Sequence, residues 1–203
     1  MAGACQAQLP PKVAAVVART KAVRTTYSLY TWIRIARAGL PAAEEWNSEF
    51  NSGALHRVET PRDRVIADCE ANTGSALSLA TGKITTGPQI AATACGIDTN
   101  FPVVSAEWLA QQRSSFGAAD VIRITGGPFI RTYVVNADGV IIRSTYQYDA
   151  PGHPLVLQTL STALSPSLPD KAMFTQDSLS RSFVPEAYKA GPVGQKWATD
   201  TPD

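Results

Sequence analysis

The stretch FIRTYVVNADGVIIRSTYQYD, from Phe129 to Asp149, predicts an antiparallel β-hairpin. Two runs rich in β-branched and aromatic residues flank the turn-forming residues Asn136 to Gly139. Asp138-Gly139 suits a type I turn closed by a glycine with positive φ, which makes a three-residue loop. In that register, one face of the hairpin carries aromatic residues and arginines: Phe129, Arg131, Tyr133 and Arg143.

The preceding turn, Gly126-Gly127-Pro128, extends this face to a third strand. If it is also a three-residue loop, Arg123 lies opposite Arg131, whereas a slip of one residue would separate them. Like charges on neighbouring strands are unfavourable unless solvent or an anion lies between them, and arginine offers a planar fork for carboxylates. We therefore predict a pocket for a small anion or carboxylate. The alternatives are a solvated sheet face and a partner interface. The predicted ligand-binding residues are Arg123, Phe129, Arg131, Tyr133 and Arg143.

On the N-terminal side, the sequence predicts a long helix from Pro11 to about Ala38. Val13, Val16 and Thr20 begin a stripe with spacings of three and four, and Gly39 and Pro41 end it. At 1.5 Å per residue such a helix is roughly 40 Å long, so part of it is expected to project or to pack on a second copy as a homodimer. A shorter helix is predicted over 41–51, because Trp46 and Phe50 are four residues apart.

The remaining elements lead to a fold class. Strands are predicted over 55–59, 64–69, 75–80, 120–125, 129–135 and 140–148, and helices over 88–95, 105–113 and 155–164. We predict an α+β fold, with an antiparallel sheet of about five strands and the long N-terminal helix packed on one face. An NTF2-like cone is the alternative. The expected organisation is a flexible N-terminus (1–10), a single domain (11–164) and a proline-rich extended C-terminal segment (165–203).

Composition limits the kinds of function. The 203 residues are 44% hydrophobic and 17% charged, with a net charge of +1, which gives no general attraction to nucleic acid. We find no catalytic motif and no metal-ligand spacing, so we predict no catalytic residue, metal or cofactor. His56 and His153 are interpreted as structural or solvent-exposed. An enzyme is the less favoured interpretation.

The three cysteines indicate a compartment. Cys69 and Cys95 are predicted to form a disulfide across a 26-residue separation, which would place the protein outside the cytosol, in the periplasm or cell envelope. Two buried free thiols are the alternative. Cys5 follows Ala2-Gly3-Ala4, which resembles the end of a bacterial lipoprotein signal, so Cys5 is a candidate for lipidation and membrane anchoring.

The string from Tyr133 to Ile141, together with the order of the elements, resembles the final hairpin of Cache-type, PAS-like extracytoplasmic sensor domains. Asn136 stands where those domains usually have aspartate. The resemblance implies binding of a small carboxylate or amino acid over one sheet face. The favoured function is therefore a non-enzymatic, sensor-like exported binding domain. The alternatives are a structural or interaction lipoprotein of the envelope and an uncharacterised enzyme.

Overall fold

The computed structural model describes residues 8–23, 25–148, 154–166 and 170–191, which form one antiparallel sheet of eleven strands. The strands are β1 (Tyr27–Arg37), β2 (Ala43–Ser52), β3 (Leu55–Glu59), β4 (Asp63–Asp68), β5 (Thr73–Ser78), β6 (Ile84–Thr86), β7 (Ser105–Ser114), β8 (Gly117–Gly126), β9 (Phe129–Asn136), β10 (Ile141–Tyr148) and β11 (Leu155–Ser165). Their order across the sheet is β6-β5-β4-β3-β2-β1-β11-β10-β9-β8-β7. Every strand pair except β1–β11 joins neighbours in the sequence, so most pairing is local.

The described residues also contain three short α-helices: α1 (Pro11–Lys21), α2 (Pro88–Ala94) and α3 (Glu186–Lys189). The predicted five-stranded α+β fold with a long N-terminal helix is therefore wrong, as is the NTF2-like alternative. The helix ends at Lys21, and residues 27–37 of the predicted helix form β1. That segment is rich in aromatic and β-branched residues, which favour strands, and it pairs with β2 on one side and β11 on the other.

Three further predicted helices are strands: 41–51 is β2, 105–113 is β7 and 155–164 is β11. For β2, the prediction failed because the spacing of its apolar residues fits both a helix and a strand. Trp46 and Phe50 are four residues apart, and a separation of four places side chains on one face of a helix and equally on one face of a strand. The six predicted strands and the helix over 88–95 are confirmed, with small shifts at their ends.

We call the inner face of the sheet the one that carries Tyr27, Asn47, Glu49, His56 and Tyr133, and the outer face the one that carries Trp46, Phe50 and Arg57. Helix α1 packs on the inner face, where its valines join the buried side chains of β8 and β9 in one core: Val13, Val16, Val17, Ile122, Ile124 and Val135. Helix α2 also packs there. A Cβ at Gly74 would lie 2.9 Å from Ile90 of α2, so the contact between β5 and α2 requires a glycine.

The outer face is covered by residues 171–189, which include two 3-10 helices (Lys171–Phe174 and Gln176–Ser180) and α3. Met173, Phe174 and Val184 are buried against Phe50 of β2. The ring of Tyr188 stacks on Tyr30 of β1, with 3.8 Å between the ring centroids. Within the described part of the chain, no helix has the length and apolar character needed to span a membrane.

Candidate functional site

A cavity of about 370 Å³ lies on the inner face. Strands β1, β2, β3, β9, β10 and β11, which are consecutive in the sheet, supply one side of it, and the end of α1 and the segment 93–98 supply the other. Its walls include the apolar side chains of Val23, Val58 and Ile141. Its volume is at the lower end of the range for small-molecule sites.

Polar side chains from β2 and β3 line one part of the cavity. On β2, Asn47, Glu49 and Asn51 occupy alternate positions, so all three point to the inner face. Asn51 pairs directly with His56 of β3, which places the imidazole on the same face. The result is a group of hydrogen-bonding side chains in a largely buried region of the sheet.

Hydrogen bonds determine the tautomer of His56. The Nδ2 atom of Asn51 donates to the carbonyl oxygens of Thr25 (2.6 Å) and Gly53 (3.3 Å), which leaves Oδ1 of Asn51 as an acceptor. That oxygen lies 3.3 Å from Nδ1 of His56, so Nδ1 carries the proton and donates it. The lone pair is then on Nε2, 3.9 Å from Oε2 of Glu49.

Burial shifts both titratable groups toward their neutral forms. It raises the pKa of Glu49 to about 7 and lowers the pKa of His56 to about 4. The side chains are 23% and 8% exposed, respectively. Burial, and then the charge of Glu49, raise the pKa of Tyr27 well above its ordinary value. Near neutral pH, the site therefore offers a carboxyl group that can hold a proton beside a neutral imidazole.

The predicted disulfide is present and contributes to the cavity wall. Cys69, just after β4, is bonded to Cys95, just after α2, and both residues line the cavity. The next residues are attached to α1, because the backbone N–H of Ile97 donates to Oγ1 of Thr20 over 3.1 Å. The segment from Cys95 to Asp98 is thus held at both the sheet and the helix.

The predicted common face for Arg123, Arg131 and Arg143 is wrong. Arg131 lies opposite Ile124 and Tyr146 on the inner face, while Arg123 lies opposite Thr132 on the outer face. Arg143 lies opposite Val134, also on the outer face. Only Arg131 and Tyr133 of the predicted set line the cavity. The role of the five predicted residues in binding a ligand stays a prediction.

Two details of register separate the arginines. Gly126 pairs with Phe129, so the loop between β8 and β9 has two residues, with Gly127 at φ +55°. In the next hairpin, the three-residue loop closed by Gly139 at φ +88° is as predicted. Beyond that loop, however, Ile142 forms a β-bulge that reverses the face of Arg143.

Arg131 is held by aromatic rings. Its guanidinium carbon lies 4.5, 4.8 and 5.4 Å from the ring centroids of Phe101, Phe129 and Tyr146. Burial raises the pKa of Tyr133, and the nearby positive charge of Arg131 opposes that rise. Phe129 does not line the cavity, but its ring packs against the guanidinium of Arg131, which does.

Sequence reasoning missed Glu49 and Asn51 and interpreted His56 as structural or exposed. The available signal was the alternation of polar residues at 47, 49 and 51, which indicates a strand with one polar face. It was hidden because the same stretch also fits a helix. In the described ranges, no group of three or more His, Cys, Asp or Glu is placed to hold a metal ion. Cys5 and His153 lie outside the described residues, so lipidation of Cys5 stays a prediction.

No family model and no curated protein sequence matches the chain. Among solved structures, an uncharacterized conserved protein from Thermus thermophilus has a TM-score of 0.52 and 13% identity, covering 88% of this chain and 97% of that one. The LolA superfamily protein NE2245 from Nitrosomonas europaea has a TM-score of 0.46 and 8% identity, covering 82% and 98%. A DUF1329 family protein from Desulfovibrio piger ATCC 29098 has a TM-score of 0.44 and 9% identity, covering 85% and 100%.

At these identities, the likeness concerns the fold alone. The resemblance to Cache-type, PAS-like sensor domains is wrong, because the hairpin that suggested it belongs to one eleven-stranded antiparallel sheet. The expectation of a sensor-like function rested on that resemblance, so we no longer hold it.

Proposed function

We propose that this chain is an exported protein of the cell envelope that acts by binding an amphipathic ligand, a lipid or a lipid-linked molecule, in the inner-face cavity. The observation that carries the proposal is the cavity itself, in which a hydrogen-bonding group from β2 and β3 lies beside apolar walls. Such a combination suits a ligand with one polar end and one apolar end.

The compartment is supported by the disulfide. Cys69–Cys95 is an ordinary structural bridge between two secondary-structure elements, and such bridges persist in oxidising compartments. The envelope alternative stated from the sequence is therefore kept, and the sensor function is not.

The test is native mass spectrometry of the protein purified from its own host, followed by lipid extraction. We expect an adduct of one ligand per chain. Val58→Trp should remove it, because Val58 lines the cavity and the larger side chain fills it. Thr85→Trp, on the exposed edge strand β6, is the matched control and should keep the adduct. An adduct that survives Val58→Trp, or the lack of any adduct in the parent protein, would overturn the proposal.

A further inference from the structure

We infer that Glu49 and His56 together form a subsite for an uncharged hydroxyl group of the ligand, and that they select against charged head groups. This inference rests on the proposed function, because it concerns the polar end of the ligand in the same cavity.

The first step is the acceptor. With Nδ1 of His56 donating to Asn51, Nε2 presents a lone pair and needs a donor. The Oε2 atom of Glu49, 3.9 Å away, is too far for a direct hydrogen bond. A carboxylate has no proton to offer Nε2, so the imidazole disfavours it.

The second step is the donor. When Glu49 carries its proton, its O–H can be donated to a ligand oxygen. A single oxygen atom can lie about 2.8 Å from both Nε2 and Oε2 when those two atoms are 3.9 Å apart. A hydroxyl there accepts from Glu49 and donates to His56, which satisfies all three groups. A carboxylate oxygen could only accept, and an ammonium could only donate.

The third step is the charge around the subsite. The charged and titratable groups that face Glu49 or line the same cavity are Lys21 of α1, Tyr27 of β1, His56 of β3, Asp98 of the covering segment, and Arg131 and Tyr133 of β9. When Glu49 carries its proton, Lys21 and Arg131 are opposed by Asp98 alone, so these side chains carry one net positive charge. Discrimination against a carboxylate therefore comes from the lone pair of Nε2 and not from the surrounding charge.

The pKa of Glu49 adds a pH dependence. Because burial raises it to about 7, the donor O–H is present at pH 5.5 and lost by pH 8.5, while His56 is neutral at both values. Hydroxyl binding should weaken over this range. Glu49→Gln keeps a neutral N–H donor at the same position and cannot ionise, so it should remove the pH dependence.

The experiment uses three probes with the same chain: 1-octanol, octanoate and octylammonium, titrated against the protein by ligand-observed NMR. At pH 5.5 we expect octanol to bind at least tenfold more tightly than either ion, and to weaken severalfold at pH 8.5. In Glu49→Gln, octanol binding should persist and no longer change with pH. Glu49→Ala should weaken octanol binding and leave the two ions unaffected.

The outcomes separate this inference from the proposed function. Tightest binding by octanoate or octylammonium, abolished by Val58→Trp, would overturn the hydroxyl subsite and leave the binding function intact. An octanol affinity with the same pH dependence in Glu49→Gln as in the parent protein would also overturn it. If all three probes bind and Val58→Trp does not change their binding, the proposed binding in the cavity is itself contradicted.

Discussion

Arg57 and Glu59, two residues apart on β3, form an ion pair on the outer face in which neither side chain is exposed. Nε of Arg57 donates to Oε1 of Glu59 over 2.7 Å. The guanidinium also donates to the carbonyl oxygens of Met173, Ser178 and Arg181 and to the hydroxyl of Ser178. Glu59 accepts from Ser182 and from the backbone N–H of Phe183. The pair thus attaches residues 171–189 to the sheet.

We predict that Arg57→Met lowers the free energy of unfolding by about 3–5 kcal/mol, because it removes the cation bonded to the buried carboxylate of Glu59 and the donor to the carbonyl oxygen of Arg181. Urea denaturation measures the loss, and limited proteolysis should show cleavage within 171–189.

The control for this prediction is Arg62→Met. Arg62 pairs with Glu45, but its side chain is 64% exposed, so the loss should stay under about 1 kcal/mol. Equal losses in the two variants would show that the buried pair does not attach the C-terminal segment.

A second prediction concerns stability and pH. The pKa of Glu49 is raised from its ordinary 4.5 to about 7, so between these values the folded state binds more protons, and stability falls as pH rises. Glu49→Gln removes this effect. Its free energy of unfolding, relative to the parent protein, should therefore increase from pH 4.5 to 7 by up to roughly 3 kcal/mol and stay level above pH 7.

His56 gives the opposite sign. Its pKa is lowered from 6.5 to about 4, so the stability present above pH 6.5 is lost as pH falls toward 4. His56→Gln, relative to the parent protein, should gain stability as pH falls through that window. Because the two slopes oppose each other between 4.5 and 6.5, they partly cancel in the parent protein. If the free energy of unfolding of each variant, relative to the parent protein, does not vary with pH, the two pKa shifts are wrong.

A third prediction concerns the disulfide. Removing the Cys69–Cys95 bridge by the double substitution Cys69→Ser, Cys95→Ser should cost about 3–4 kcal/mol, the value expected for a separation of 26 residues in the chain-entropy account. Denaturant titration with and without reductant measures it, since reductant should affect only the parent protein.

Thiol titration of the denatured, unreduced protein should find one reactive thiol, Cys5, or none where Cys5 is modified. Three reactive thiols in protein isolated from its native compartment would remove the support for export.

A fourth prediction concerns the turn at Gly139. Its φ of +88° disfavours other residues, and a Cβ there would lie 2.5 Å from the carbonyl oxygen of Arg19 in α1. Gly139→Ala should therefore lower the free energy of unfolding by more than the about 1–2 kcal/mol expected from backbone strain alone. Thermal or urea unfolding measures the loss.

Gly82→Ala is the matched control, because Gly82 has φ +68° and no atom within 4 Å of its added Cβ. That substitution should cost about 1–2 kcal/mol, from backbone strain alone. If the two substitutions cost the same, the close approach of α1 to the turn does not affect stability.

The sequence by itself determined the local parts of this protein. The turn at Asn136 to Gly139 follows from the positive φ that its glycine supplies. The strands 55–59, 64–69 and 75–80 were predicted from their lengths and from the turn residues that separate them. The bond between Cys69 and Cys95 was predicted from their separation and from the lack of metal-ligand spacing around them, and the structure contains it.

The tertiary structure decided what local patterns left ambiguous. A spacing of four fits a helix and a strand equally, so the pattern of Trp46 and Phe50 left the choice open, and pairing with β1 and β3 made this segment the strand β2. A single bulged residue, Ile142, and a loop shorter by one residue placed Arg143 and Arg123 on the face away from Arg131. The cavity arose in the same way. Pairing of β2 with β3 brings Asn51, Glu49 and His56 together on one face. Burial then raises the pKa of Glu49 and lowers the pKa of His56.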